Sequence, residues 1–398
     1  MVYADNNATT AVAHEVFEAM RPFLEETFFN PSAMYDQAEP AARALSVARG
    51  QVAAILGSGS PDEVLFTSGA TESNNMAIRG VAAASSKRNH IITSAVEHPA
   101  VLEVCRHMER NGCEVSTIPV NSRGELDMAA YVRALRDDTL LVTIMHANNE
   151  TGVIFPVGDI ARIAKETDPG ILVHTDATQT IGKLPVDLQS AWKDVDLLSL
   201  SGHKCHAAKG VGALFMRRGT RCRPFMLGGH QENSRRAGTE NVASIVGLGR
   251  ACELARDHLA GEQRVGSLRD RLEAAITEAI PYVEINGRDA ERLPNTLNLA
   301  VHYVEGEAML YQLSAADICV SSGSACTSGS LDPSHVLKAM GIPFTALHGS
   351  VRFSFSRYTT DEDIDHIVNV FPDMVANLRR LSPYWDNAKG APREDRKA

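Results

Sequence analysis

The sequence predicts an α/β fold: a mostly parallel, seven-stranded sheet with helices on both faces, joined to a smaller α+β domain. Three observations carry that expectation. From Glu63 onward, short apolar runs alternate with longer stretches whose apolar residues recur at helical spacing. Two of the runs turn abruptly polar, at Asp176 and at Lys204, as strands do on leaving a buried sheet. The 398 residues, 44% of them hydrophobic, suffice for a large core and, by length, two domains.

Taken in order, Val64-Leu65-Phe66 reads as a strand, Thr71 to Arg79 as a helix and His90 to Thr93 as a strand. Pro99 to Arg110 is helical because Val101, Leu102, Cys105 and Met108 fall on one face. Further strands are expected at Glu114 to Pro119, Leu140 to Met145, Ile171 to Thr175, Asp196 to Leu200 and Gly212 to Met216, with a helix at Gly158 to Lys165. A long helical stretch from Asn241 to Ile280 leads out of this domain. Beyond it, strands at Leu297 to Val301 and Ser350 to Ser354 and helices at Glu307 to Leu313, Ser334 to Met340 and Asp361 to Leu381 form the smaller unit. The expected division is a large domain over 15–262, a small domain made of 1–14 and 263–386, and a polar tail, 387–398, that frays.

Composition removes several classes of function. A formal net charge of −10 with scattered Lys and Arg offers no basic face, so no nucleic-acid partner is expected. The start of the chain has no basic segment followed by an apolar one, and nowhere do about 18 apolar residues run together, so the expectation is a cytoplasmic protein without a membrane partner. Seven cysteines without a C-x-x-C pair suit neither a disulfide framework nor a zinc cage, and no metal site is expected.

The chemistry gathers at predicted strand ends. Lys204 closes the corner Ser201-Gly202-His203-Lys204, and Asp176 closes His174-Thr175-Asp176. Ligands of open α/β sheets bind beyond the carboxyl ends of the strands, which places this amine and this carboxylate at one crevice. An amine that condenses with an aldehyde and a carboxylate that keeps a pyridine nitrogen protonated fit pyridoxal phosphate. The small residues of Thr67-Ser68-Gly69-Ala70-Thr71, between strand and helix, suit the phosphate; they equally serve as a helix cap. His98 reads either as a structural residue or as an imidazole that stacks on a flat cofactor and moves protons. Asn148-Asn149-Glu150-Thr151-Gly152 reads as a turn or as a source of an amide for the cofactor or a substrate carboxylate, and Gln179 is a similar neutral donor. The Ser- and Gly-rich run 321–330 is either a linker with an incidental thiol or a mobile loop carrying a nucleophile, Cys326. The glycine-bounded loop before the long helix holds Thr239.

With these residues collected, the chain resembles the cysteine desulfurases of the NifS/IscS family, a branch of the class V aminotransferase superfamily with the pyridoxal-phosphate fold of type I. Glu97-His98-Pro99, Asn148 to Gly152, His174 to Ala177, Ser201 to Lys204 and Gly323-Ser324-Ala325-Cys326 occur in family order. The Cys326 loop, Gly228 to Glu232 and Ser382 to Trp385 resemble NifS, the nitrogenase-associated member, most. The pattern departs at Phe29 to Ala38, where relatives usually carry a glycine, a histidine and an aromatic-glycine pair.

The resemblance implies that pyridoxal 5'-phosphate forms a Schiff base with Lys204, pairs with Asp176 and stacks on His98. Gln179 would bond its phenolic oxygen, while Ala70, Thr71, Ser201 and His203 would hold its phosphate with Thr239 of a second subunit in a homodimer. Asn149 and Arg352 would bind the carboxylate of L-cysteine. Cys326 would take its sulfur as a persulfide, leaving L-alanine, and pass it to an iron–sulfur scaffold protein. A selenocysteine lyase or another class V aminotransferase-like enzyme would share Lys204 and Asp176 without needing Cys326. A thiol or metal-binding scaffold is the reading from a different class.

Overall fold

The computed structural model describes residues 1–322 and 333–393. Its centre is a seven-stranded sheet whose neighbours run Val64–Thr67, Gly212–Met216, Leu197–Ser201, Leu172–Asp176, Thr139–Thr143, His90–Ser94 and Glu114–Ile118. All are parallel except Gly212–Met216, which runs antiparallel to both neighbours. The expected mostly parallel sheet is therefore present. Most of these strands are buried along their length, which is why they read as continuous apolar runs rather than alternating ones.

Helices Ala70–Ala84 and Pro99–Arg110 pack one side of the sheet's core with Leu65, Ile91, Leu141 and Leu214. A larger cluster on Phe66, Ile92, Val142, Val173 and Leu200 takes in Val157–Thr167, Glu39–Ile55 and Val242–His258. The long stretch expected over Asn241 to Ile280 is two helices, Val242–His258 and Glu262–Ala279, split by a tight turn at Leu259–Gly261.

A separate cluster gathers Val265, Leu272, Leu297, Val351, Phe353 and Phe371 around a three-stranded antiparallel sheet of Val283–Ile285, Thr296–Val301 and Ser350–Ser354. Its side helices include Gly306–Ala315 and Asp361–Leu381. Val2 and Ala4 belong to this cluster, through parallel pairing of Val2–Tyr3 with Ile318–Cys319. The tail expected to fray from 387 instead returns as a hairpin, with Trp385–Asp386 paired to Ala391–Pro392. Trp385 anchors it, 7% exposed, against the Arg379 guanidinium and Tyr282. Residues 394–398 lie outside the described residues. Among the described residues no helix is long and apolar enough to cross a membrane.

Candidate active site

The parallel strands deliver their carboxyl ends to one edge, and a cavity of about 550 Å³ opens there. Ten of the expected residues line it: Ala70, Thr71, His98, Asn149, Asp176, Gln179, Ser201, His203, Lys204 and Arg352. Thr239 does not; it is exposed on its loop. Cys326 lies outside the described residues.

Lys204 ends the short turn Gly202–Lys204 after its strand, and its Nζ donates to the carbonyl oxygens of Asn7 at 2.5 Å and Ala8 at 2.7 Å. The N-terminal segment thus holds the amine in place. Asp176 ends the neighbouring strand, where its Oδ1 accepts from the Thr178 amide at 2.9 Å and its Oδ2 from Asn74 Nδ2 at 2.7 Å. Because its partner lies 102 residues away in the chain, Asn74, one turn into a helix, reads from sequence as an ordinary polar position.

His98 caps the helix Pro99–Arg110, its Nδ1 accepting from the Ala100 amide at 3.1 Å. Burial lowers its pKa, with Lys204 and His335 adding to the effect and Asp176 opposing it. A neutral, flat imidazole at neutral pH follows, suited to stacking, with its proton on Nε2 because Nδ1 accepts from Ala100. Burial likewise pushes His203 down to about 4, helped by Lys204 and Lys209, so it meets an anion as a neutral donor.

The turn 68–71 bends sharply at Gly69, whose φ of 149° disfavours any side chain. A Cβ there would stand 3.5 Å from Ser201 Oγ, on the strand that leads to Lys204. The Ser68 amide donates to Glu72 Oε2 at 2.7 Å, and Glu72 pairs with Arg236 at 2.8 Å. Burial opposes the charge on Glu72, yet the Arg236 and Ser68 hydrogen bonds keep its carboxyl below the usual range. This pair, invisible in sequence, ties the loop that carries Thr239 to the turn.

Arg352 is 2% exposed; its Nη1 donates to the Asn149 carbonyl at 2.7 Å and its Nη2 to Asp5 Oδ1 at 2.7 Å, while its buried Nε has no partner among the described residues. Two further carboxyls lie inside the motifs of His98 and Asn149, where local sequence gives them no role of their own. Glu97 is fully buried and pushed up to about 8, by burial first and by the charge of Asp176, against hydrogen bonds from Ser94 and Met145. Glu150 accepts from Ser334 Oγ at 2.5 Å, and burial raises its carboxyl too.

The described residues on either side of 323–332 are tied to this site. Ser321 and Arg352 exchange backbone hydrogen bonds of 3.3 and 2.6 Å. On the far side Ser334 holds Glu150, and His335 Nε2 meets the Glu97 carbonyl at 2.9 Å.

The residues present fit pyridoxal phosphate. One cavity offers an amine for the aldehyde, a doubly hydrogen-bonded carboxylate for the pyridine nitrogen, a neutral imidazole, and small residues with hydroxyls at a helix N-terminus for the phosphate.

The family model for class-V aminotransferases matches residues 2–367. A curated relative from Azotobacter vinelandii, the cysteine desulfurase NifS, is 51% identical over 385 residues, 96% of this chain and 95% of that protein. The cysteine desulfurase of Enterobacter agglomerans is 51% identical over 388 residues, 98% of this chain and 96% of the other. Among solved structures, a NifS-like protein superposes with a TM-score of 0.88 at 38% identity, covering 95% of this chain and all of that one. A structure of SspA in complex with cysteine has a TM-score of 0.79 at 36% identity, over 90% of this chain and 100% of that one.

Proposed function

This chain belongs to the class-V aminotransferase family, and from that premise we propose that it converts L-cysteine to L-alanine and passes the sulfur to its own Cys326. The activity is that of a cysteine desulfurase with pyridoxal phosphate as cofactor. The observation that carries the reading is the convergence of Lys204, Asp176, His98 and Arg352 on a single cavity from four separate stretches of chain.

Lys204, Asp176 and His98 hold the cofactor's aldehyde, pyridine nitrogen and ring face, with Gln179 at the phenolic oxygen. Ala70, Thr71, Ser201 and His203 hold the phosphate. Pyridoxal phosphate, when bound, supplies the electron sink for negative charge at the substrate's Cα. Arg352 and Asn149 fix the substrate carboxylate, which sets the Cα–H bond against the Lys204 amine. Lys204, freed once the substrate amine has taken its place at the aldehyde, takes the Cα proton. The Cys326 thiolate then attacks the substrate sulfur; the carbon–sulfur bond breaks with its electron pair left on carbon, the new sulfur–sulfur bond makes a persulfide, and protonation of the former Cβ together with return of a proton to Cα from Lys204 completes alanine. His98 is assigned as the proton carrier, in keeping with its neutral imidazole.

We further assign a large domain over 15–262, a small one over 1–14 and 263–386, and a homodimer in which Thr239 completes the partner's phosphate site. The exposed position of Thr239 and the tie between its loop and the phosphate turn through Arg236 and Glu72 support that last assignment. The sulfur acceptor is assigned as an iron–sulfur scaffold in the cytoplasm, in keeping with the resemblance to nitrogenase-associated members.

Incubation of the purified protein with L-cysteine is expected to yield alanine and a mass increase of one sulfur on the peptide that contains Cys326. Cys326→Ala is expected to abolish turnover. Full alanine release by that variant, or sulfur found elsewhere, would overturn the assignment.

A further inference from the structure

A second, smaller cavity of about 30 Å³ shares Lys204 with the first and is also lined by Lys183, Cys205, His206, Glu262 and Arg357. Lys183 is buried, 9% exposed, and a buried amine costs stability unless something offsets it. Its Nζ donates to Gln179 Oε1 at 2.9 Å, the one hydrogen bond that Nζ makes among the described residues. From Gln179 the chain of contacts continues inward. Its Nε2 donates to the Asn7 carbonyl at 3.0 Å, and the same carbonyl accepts from Lys204 Nζ at 2.5 Å.

The chemistry of the two side chains gives this arrangement a direction. As an ammonium Lys183 can only donate, whereas an amide has one accepting and one donating end; the neutral amine present above about 7 can also accept, so the constraint is strict only below that value. With the Lys183 ammonium in place, Gln179 must turn its oxygen toward the small cavity and its nitrogen toward Asn7 and the cofactor cavity. The Asn7 carbonyl, also an acceptor, favours the same orientation; without Lys183 it alone opposes a turned-over amide that would present an acceptor where a donor is needed.

We propose that Lys183 is a positioning residue for the cofactor: by fixing the direction of the Gln179 amide it keeps a donor aimed at the anionic phenolic oxygen. The inference rests on the assignment of Gln179 to that oxygen. Lys183 acts through Gln179 and is not itself part of the lining of the larger cavity. Glu262 is the carboxylate that faces the amine across the small cavity, with Arg357, Lys204, Cys205 and His206 as the other charged or titratable groups there and Arg352 acting on the amine from farther off. Burial and the charge of Lys204 push Lys183 down to about 7, and Glu262 opposes them.

The test reads the spectrum of the cofactor-loaded enzyme rather than its turnover. A donor withdrawn from an anionic oxygen leaves that oxygen holding a proton more tightly, so the pH midpoint of the bound cofactor's visible absorbance rises. Lys183→Met is expected to raise it by about one unit, the size of one hydrogen bond to a charged group. Gln179→Leu is expected to do the same, and the double variant to add nothing further, as for residues acting in one chain. Lys183→Gln, slightly shorter and able to donate or accept, removes the directional constraint while keeping polarity and is expected to give a smaller rise. It serves as the reading if Lys183→Met does not fold. An unmoved midpoint in the Lys183 variants, with Gln179→Leu shifted, overturns the inference and leaves the assignment of Gln179 standing. Equal Lys183→Met shifts with and without Gln179 also overturn it. An unmoved midpoint in Gln179→Leu overturns both.

Discussion

Asn74, in the wall of the cavity, and Glu97, buried behind it, show how much a single buried side chain can decide. Asn74 is wholly buried and supplies one of the two donors on Asp176. Asn74→Ala leaves that carboxylate with the Thr178 amide and without its side-chain donor. A hydrogen bond to a charged group contributes roughly 1.5–3 kcal/mol, so cofactor affinity, measured by fluorescence titration, should fall at least about tenfold. Unchanged affinity would show that Asn74 is only packing. Glu97 makes a different prediction, because its carboxyl sits at about 8 in the folded chain against an ordinary value of 4.5. The folded state therefore binds a proton that the unfolded state has released. Stability is full below the unfolded value, falls as pH rises through this window and stays low above it. Glu97→Gln cannot ionise, so its stability relative to the parent should improve between about pH 4.5 and 8, by on the order of a few kcal/mol. Denaturant melts at several pH values check this, and a difference that stays flat with pH would rule it out.

At the scale of elements, the antiparallel strand Gly212–Met216 supports the turn expected to hold phosphate. A Cβ on Gly212 would stand 2.6 Å from the Leu200 carbonyl oxygen and 2.7 Å from Gly69 Cα. Gly212→Ala must therefore push Gly69, at a cost of roughly 1–3 kcal/mol. Affinity for pyridoxal phosphate should fall more than affinity for pyridoxal, and equal losses would place the damage elsewhere. The same strand was legible in sequence, as were the strands that end at Asp176 and Lys204, because buried strands are apolar and the site residues interrupt them. Helix Glu39–Ile55 was not. Its buried face is largely small, with Ala41, Ala48 and Ala53, because it packs closely on Val242–His258: a Cβ on Gly249 would stand 2.6 Å from Ala48 Cα. Small residues in tight contact leave little apolar periodicity to read. Within the site, residues in local motifs were legible, whereas Asn74 with Asp176, Glu72 with Arg236 and Lys183 with Gln179 were not. Each of these is a plain polar residue until the fold supplies its partner.

Across the whole molecule, Arg352 joins the two main cores to the N-terminal segment. It sits on a strand of the small sheet, reaches the Asn149 carbonyl beyond the large sheet, and pairs with Asp5 at 2.7 Å. Arg352 thus holds the units together, and to this the proposed function adds a second task, meeting the substrate carboxylate; the two separate by mutation. Arg352→Ala strands the Asp5 carboxylate, and breaking a buried pair from one side is costly. Because the Asp5 side chain is 19% exposed, the expected loss is about 2 kcal/mol, below that of a wholly buried pair. Adding Asp5→Asn removes the stranded charge. The double variant should recover most of the stability in urea melts while KM for L-cysteine remains at least about tenfold above the parent's, since the paired donors for the carboxylate are still missing. If Asp5→Asn restores neither stability nor binding, the ion pair is not what holds the units together. If it restores both, Arg352 does not bind the substrate.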